Sequence, residues 1–175
     1  VNPCDYHQTR MATLAAAEYV GPVYLRFGRP AWPMFMENQK FEIGKAILMN
    51  EGKDVTIIAT GHLVWKSLEA ARQLESEGIS VELINIHTIK PLDKEAILKS
   101  VAKTKCVVVA EEHNRIGGLG WAVAGALAAE LPAPLEQVAV NDSFGESGTP
   151  DQLLKKYGLD TPDVIAAARK VISRK

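Results

Sequence analysis

The sequence is poor in cysteine and has no long hydrophobic run. Its 175 residues include two cysteines, Cys4 and Cys106, which are too few for a disulfide framework. Cys106 lies in an apolar, strand-like run, a setting typical of a reduced intracellular protein, and we therefore expect a cytoplasmic location. No apolar run reaches the length needed to cross a membrane, so we expect no membrane partner. Because the chain begins at Val1 and not at methionine, we expect a fragment or processed form of a longer protein.

The sequence also lacks an excess of charge of either sign. Its 20 Lys and Arg residues nearly balance 21 Asp and Glu residues, which gives a formal net charge of −1. A chain with this balance has no general electrostatic attraction for nucleic acid or for anionic membranes. Hydrophobic residues make up 47% of the chain and charged residues 23%, a composition typical of an ordinary globular domain.

From residue 45 onward, apolar runs alternate with helical patterns. The runs predict strands over 45–49, 55–60, 81–86, 105–110 and 137–140. The intervening and following segments predict helices over 63–77, 94–103, 121–130, 150–157 and 161–173. The short turn at 51–54 predicts that the first two strands pair antiparallel, with the first at the sheet edge. We therefore predict an α/β fold, a three-layer α/β/α sandwich with a mostly parallel five-stranded sheet and one antiparallel edge strand.

The first 44 residues follow a different pattern. They predict a helix over 6–19 and a short strand over 23–27. Residues 30–44 contain two prolines and no clean periodicity, which predicts a linker. The linker is too apolar to remain exposed to solvent, so we expect it to lie over a domain surface. Its large apolar residues are Trp32, Met34, Phe35, Met36 and Phe41. We place the domain boundary here, with residues 1–35 as one piece and residues 36–175 as a domain.

Polar residues follow the predicted parallel strands at the edge where ligands bind in such sheets. They are His62, His87, Glu111, Glu112, His113 and Asp142. Three histidines and three carboxylates could form a metal site, and Glu112 or His113 could act as a general acid or base. No HxH, HExxH or CxxC spacing supports a metal. We therefore favour a polar edge that packs against another domain or subunit.

The glycines that follow this acidic edge suggest a phosphate-binding turn before a helix. The dinucleotide fingerprint requires G-x-G-x-x-G or A, but Val123 stands at the third position counted from Gly118 and Gly120. Glu111 and Glu112 would also repel a pyrophosphate. We therefore favour a structural role, in which the glycines permit a tight turn and close contact between helix and sheet.

Two arginines, Arg26 and Arg29, end the predicted strand at 23–27. A guanidinium at such a position can hold a phosphate or carboxylate through two parallel hydrogen bonds. A surface ion pair explains the same residues, and the residues alone favour that interpretation. No Ser/His/Asp arrangement or nucleophile elbow accompanies them.

Several segments together resemble the transketolase family. Residues 3–5 and 21–29 resemble the end of its pyrimidine-binding domain. Residues 41–46, 54–61, 88–93, 111–113 and 117–120 resemble its C-terminal domain. The run Asp142–Gly148, followed by Tyr157–Gly158–Leu159, is similar to transketolase itself and particularly to its split-gene C-terminal subunit. The resemblance covers nearly the whole chain.

The resemblance implies a transferase that moves two-carbon ketol units between sugar phosphates, as in the pentose phosphate pathway. It implies thiamine diphosphate and Mg²⁺ as cofactors of the complete enzyme. The family's metal-binding motif and catalytic glutamate have no counterpart here, so we expect no catalytic, cofactor-binding or metal-binding residue in this chain. Residues 1–35 would be the tail of the pyrimidine-binding domain, and residues 36–175 the C-terminal domain. Arg29 would contact the substrate phosphate, with Arg26 a less certain neighbour.

The resemblance also implies partners for this chain. We expect it to join the missing diphosphate-binding and pyrimidine-binding domains, or an N-terminal subunit, and to be inactive alone. Its exposed apolar linker favours a homodimer. Related enzymes remain as alternatives, namely 1-deoxyxylulose-5-phosphate synthase and the beta subunit of a 2-oxo acid dehydrogenase. An alternative of another class is a stand-alone interaction or regulatory module that kept the fold.

Overall fold

A five-stranded mixed sheet forms the centre of the protein. The structure is a computed structural model and describes residues 1–175. Its strands are β1 (Ile47–Asn50), β2 (Val55–Ala59), β3 (Val81–Asn85), β4 (Val107–Asn114) and β5 (Leu135–Val140). Their order across the sheet is β1-β3-β2-β4-β5. β1 runs antiparallel to β3, while the other neighbouring pairs are parallel. The predicted sheet, mostly parallel with one antiparallel edge strand, is confirmed.

Helices cover both faces of the sheet. They are α1 (Tyr6–Glu18), α2 (Leu63–Ser76), α3 (Lys94–Thr104), α4 (Leu119–Glu130), α5 (Pro150–Lys156) and α6 (Thr161–Ile172). Buried side chains of α2, α5 and α6 share one apolar cluster with β2 and β3, and those of α3 and α4 share a second cluster on the opposite face. The three-layer arrangement is therefore confirmed. None of these helices is both long enough and apolar enough to span a membrane.

The predicted hairpin between the first two strands is wrong. β1 pairs with β3, with Ile47 opposite Asn85, and does not pair with β2. The turn after β1 crosses the start of β3, where the Gly52 amide donates a 2.9 Å hydrogen bond to the Glu82 carboxylate. A Cβ at Gly52 would overlap the β3 backbone, so only glycine allows this crossing. The crossing carries β1 to the outer side of β3 and leaves β2 between two parallel neighbours.

The predicted strand over 23–27 is also wrong, because this segment is extended but pairs with no sheet strand. Its backbone bonds instead to the first residue: the Arg26 amide donates to the Val1 carbonyl at 2.9 Å, and the Val1 amino group donates to the Tyr24 carbonyl at 2.8 Å. These two bonds join the N-terminus to residues 24–26.

The apolar linker lies over the domain surface, as predicted. The Asp5 carboxylate caps α1 through the Gln8 amide and accepts two further 2.8 Å hydrogen bonds from the amides of Phe35 and Met36. These bonds fix the linker so that Met36 is fully buried in the larger apolar cluster. Trp32 and Phe35 pack against the same cluster.

Candidate functional site

The carboxylate of Glu112 joins two elements of the fold at the polar edge of the sheet. Glu112 lies near the end of β4, and His62 follows β2 at the start of α2. The His62 Nδ1–H donates to Glu112 Oε2 at 2.9 Å, and Arg26 Nη1 donates to Glu112 Oε1 at 3.0 Å. Burial acts to raise the pKa of Glu112, but the bonds and charges of His62 and Arg26 outweigh it and hold that pKa below its ordinary value. Glu112 is therefore a carboxylate that bridges two donors.

The His62 ring also contacts residues that flank Arg29. Its centroid lies 4.6 Å from that of the Trp32 ring. A Cβ added at Gly28 would overlap the Cε1 and Nε2 atoms of the imidazole. A glycine is therefore required for residues 26–32 to pass this close to the ring.

The Glu111 carboxylate, unlike that of Glu112, bonds to the start of α4. Its side chain is 1% exposed and accepts hydrogen bonds from the backbone amides of Leu119, at 2.7 Å, and Gly120, at 2.8 Å. A Cβ at Gly118 would overlap this carboxylate, and one at Gly120 would overlap the Gln137 side chain on β5. The predicted structural role of the glycines, a tight turn and close helix–sheet contact, is confirmed. Because Glu111 occupies these amides at the start of α4, they cannot cradle a phosphate.

The remaining members of the predicted polar edge lie outside the Glu112 contacts. His87 is fully buried against the Phe41 ring, with ring centroids 4.2 Å apart, and burial lowers its pKa to about 4. His113 Nδ1 lies 3.8 Å from a Glu111 oxygen. Asp142 is exposed and accepts a hydrogen bond from Asn114. No group of three or more His, Cys, Asp or Glu side chains is arranged to hold a metal ion.

The structure separates the two arginines that the sequence placed together. Arg26 is partly buried in its ion pair with Glu112. Arg29 is exposed and forms no ion pair, so the surface ion pair considered for both arginines is present only at Arg26. The Arg29 guanidinium is thus available to an anion, and its contact with a substrate phosphate stays a prediction.

Two open cavities border the segment that carries these arginines. One has a volume of about 440 Å³ and is lined by Arg26, Glu111 and His113 together with residues of the N-terminus. The other has a volume of about 490 Å³ and is lined by Gly28, Trp32, His62 and the start of α1. Arg29 lines neither cavity, but its neighbours Gly28 and Pro30 line the second one.

Sequence reasoning missed the contact of His62 with Gly28 and Trp32. The sequence places Gly28 directly after the predicted strand at 23–27, and Trp32 in the predicted linker at 30–44. The one available signal was the glycine itself, because a glycine outside a tight turn often marks a close approach. Nothing in the sequence indicated that the approaching group was a histidine more than 30 residues away.

Comparisons with known proteins agree with this architecture. The family model described as "Transketolase, C-terminal domain" matches residues 44–164. A 6-deoxy-6-sulfo-D-fructose transketolase subunit from Clostridium sp. (strain MSTE9) is 47% identical over 99% of this chain and 54% of its own length. A protein of Methanocaldococcus jannaschii named "Putative transketolase C-terminal section" is 45% identical over 91% of this chain and 51% of its own length.

A solved structure extends the agreement to three dimensions. It is described as "Split gene transketolase, inactive beta4 tetramer", is 49% identical, and superposes with a TM-score of 0.94 over 98% of this chain and 56% of its own. The chain therefore belongs to the transketolase family and contains its C-terminal domain. It spans about half the length of the relatives it matches. A 1-deoxy-D-xylulose-5-phosphate synthase matches at a lower identity of 36%, so that alternative is not favoured.

Proposed function

We propose that this chain is the C-terminal part of a transketolase that transfers two-carbon ketol units between sugar phosphates, using thiamine diphosphate and Mg²⁺. The observation that carries the proposal is the similarity of 98% of the chain to a split-gene transketolase. In this proposal residues 1–35 are the tail of the pyrimidine-binding domain and residues 36–175 the C-terminal domain. The complete enzyme would work in the cytoplasm, in the pentose phosphate pathway, and this chain alone would be inactive.

The exposed surface of residues 1–35 supports the proposal that a partner domain or subunit covers it. Large apolar side chains are exposed there at a density unusual for a free surface; they are Tyr6, Leu14, Tyr19, Val20, Tyr24, Phe27 and Met34. Most lie on α1 or on the extended segment after it, the part that resembles the pyrimidine-binding domain. The remainder of that domain, or an N-terminal subunit that contains it, is the partner we propose. Two such assemblies would then form a homodimer.

Titration calorimetry with thiamine diphosphate and Mg²⁺ tests whether cofactor binding requires the partner subunit. We expect no micromolar binding to this chain alone and clear binding after the N-terminal subunit is added. The assembled enzyme should transfer a ketol unit from xylulose 5-phosphate to ribose 5-phosphate. Micromolar cofactor binding to the isolated chain would overturn the proposed dependence on a partner. Activity only with pyruvate and glyceraldehyde 3-phosphate would indicate the synthase instead.

Arg29 is the residue we propose for the substrate phosphate. Its exposed guanidinium has no partner within the chain, and a hydrogen bond to a charged group contributes about 1.5–3 kcal/mol. In the assembled enzyme, Arg29→Ala should therefore raise KM for a phosphorylated ketose about tenfold or more. KM for erythrulose, a ketose without phosphate, should not change. Arg72→Ala, which removes an arginine from α2 beside Trp65, is the matched control and should alter neither KM.

A sulfonated sugar belongs in the same assay. The named Clostridium relative acts on 6-deoxy-6-sulfo-D-fructose by its description, and a sulfonate offers a guanidinium the same anionic oxygens as a phosphate. If this chain serves such a substrate, turnover with 6-deoxy-6-sulfofructose should exceed turnover with fructose 6-phosphate, and both should depend on Arg29.

A further inference from the structure

Residues 26–32, which carry Arg29 at their centre, are held at three points by His62 and Glu112. Three residues before Arg29, the Arg26 guanidinium bonds to Glu112 at 3.0 Å. Directly before it, Gly28 passes against the His62 ring so closely that no side chain fits. Three residues after it, the Trp32 ring lies on His62 with centroids 4.6 Å apart. One hydrogen-bonded pair thus contacts the segment on both sides of Arg29.

Arg29 itself has no contact that would fix its position. It is exposed and forms no ion pair or hydrogen bond within the chain. Its place depends on the backbone at its neighbours, where Pro30 restricts one dihedral angle and Gly28 restricts none. A segment with a glycine on one side of a binding residue needs an external support to hold one conformation. The His62 ring supplies that support at the glycine.

The orientation of the His62 ring is in turn set by Glu112. The 2.9 Å bond to Nδ1 fixes the imidazole so that its Cε1–Nε2 edge faces Gly28. The ring is 8% exposed, so this hydrogen bond forms in a largely water-excluded setting, where losing one partner is costly. Rotation of the ring would break the bond, lose the ring contact with Trp32, or clash with Gly28.

We propose that His62 and Glu112 are positioning residues for Arg29, and that they set the affinity of the assembled enzyme for the anionic end of its substrate. Neither residue touches the substrate in this proposal. Their effect is geometric, because a binding group displaced by about 1 Å loses much of its contribution. The inference rests on the proposed function, since it assumes that Arg29 contacts that anionic group. It assigns to the C-terminal domain an influence on substrate affinity that acts through Arg29.

Steady-state kinetics of the assembled enzyme tests the proposal with His62→Ala and Glu112→Gln. Each variant should raise KM for a phosphorylated ketose about threefold to fivefold, less than Arg29→Ala, and should leave kcat and the KM for erythrulose unchanged. His62→Asn keeps a donor near the position of Nδ1 and should recover part of the loss. Lys66→Ala is the matched control, because it removes the 2.8 Å ion pair with Asp160 from the same helix without touching residues 26–32.

A double-mutant cycle separates positioning from a general structural role. In an Arg29→Ala background, His62→Ala should have no further effect on KM, because the group that it positions is gone. If the two losses simply multiply, or if neither His62→Ala nor Glu112→Gln changes the KM for the phosphorylated ketose, positioning is overturned while the proposed function stands. If Arg29→Ala leaves that KM unchanged, both the role of Arg29 and its positioning are overturned. Should His62→Ala fail to assemble, the nearly isosteric Glu112→Gln decides the question.

Discussion

Replacing Glu111 with alanine should lower the free energy of unfolding by about 3 kcal/mol, because it leaves two buried amides without an acceptor. The carboxylate is 1% exposed and holds the Leu119 and Gly120 amides at the start of α4. Each unsatisfied buried group costs about 1–3 kcal/mol, and the helix dipole loses a favourable negative charge. Urea denaturation followed by circular dichroism measures the loss, and hydrogen exchange should show faster exchange at those two amides.

Two further variants test the assignment of this loss to the helix cap. Glu111→Gln retains one acceptor oxygen but turns a donor toward the second amide, so it should lose stability to an intermediate extent. Glu130→Ala removes an exposed glutamate from the opposite end of α4 and should change stability by less than about 0.5 kcal/mol. If Glu111→Ala is as stable as Glu130→Ala, the cap contributes little and Glu111 has another purpose.

The pattern of the sequence was sufficient to predict the parallel core of the fold. Every residue of β2 and β3 is buried, and their sequences are mostly apolar, which is typical of strands covered on both faces. The pairing of β1 could not be predicted in the same way. A short turn normally joins antiparallel neighbours, but the fit of Gly52 over the β3 backbone depends on a contact with a distant residue, Glu82.

The candidate site was predictable only in part. The polar residues were correctly placed at the carboxyl ends of the strands, but the sequence did not indicate which ones meet. β4 continues through Asn114, four residues beyond its predicted end at 110, so Glu111 and Glu112 lie on a strand, where successive side chains point to opposite faces. Glu111 therefore caps α4, while Glu112 bonds to His62. The bond between Arg26 and Glu112 spans 86 positions in sequence, a distance at which local patterns give no information.

Mild acid should destabilise this protein through His87, which folds in its neutral form. Burial lowers the pKa of His87 to about 4 from its ordinary value near 6.5, and the nearby Val1 ammonium acts in the same direction. Its Nε2 makes no hydrogen bond of ordinary geometry, and the Lys45 backbone and the Asp93 charge oppose the effect of burial only in part, so a proton there would bring a poorly compensated charge into the interior. Because the folded-state pKa is depressed, the unfolded chain binds the proton first as the pH falls. The stabilising effect is complete above about pH 6.5 and is lost as the pH falls from there toward 4.

Urea denaturation of the parent and of His87→Gln at about pH 7.5 and about pH 5 measures this effect. Between the two pH values the parent should lose about 2 kcal/mol more than the variant, which has no ring to protonate. Carboxylates with a lowered pKa, such as Glu82, lose their contribution only below their ordinary value of 4.5. His113, whose pKa burial also lowers, and Glu111, whose pKa burial raises, change stability in this range in both proteins, so the difference between parent and variant reports His87. Ile86→Val removes buried volume beside His87 and should cost about 1 kcal/mol equally at both pH values. Equal pH dependence in the parent and His87→Gln would show that His87 is protonated in the folded state, which would require an acceptor for its Nε2 proton.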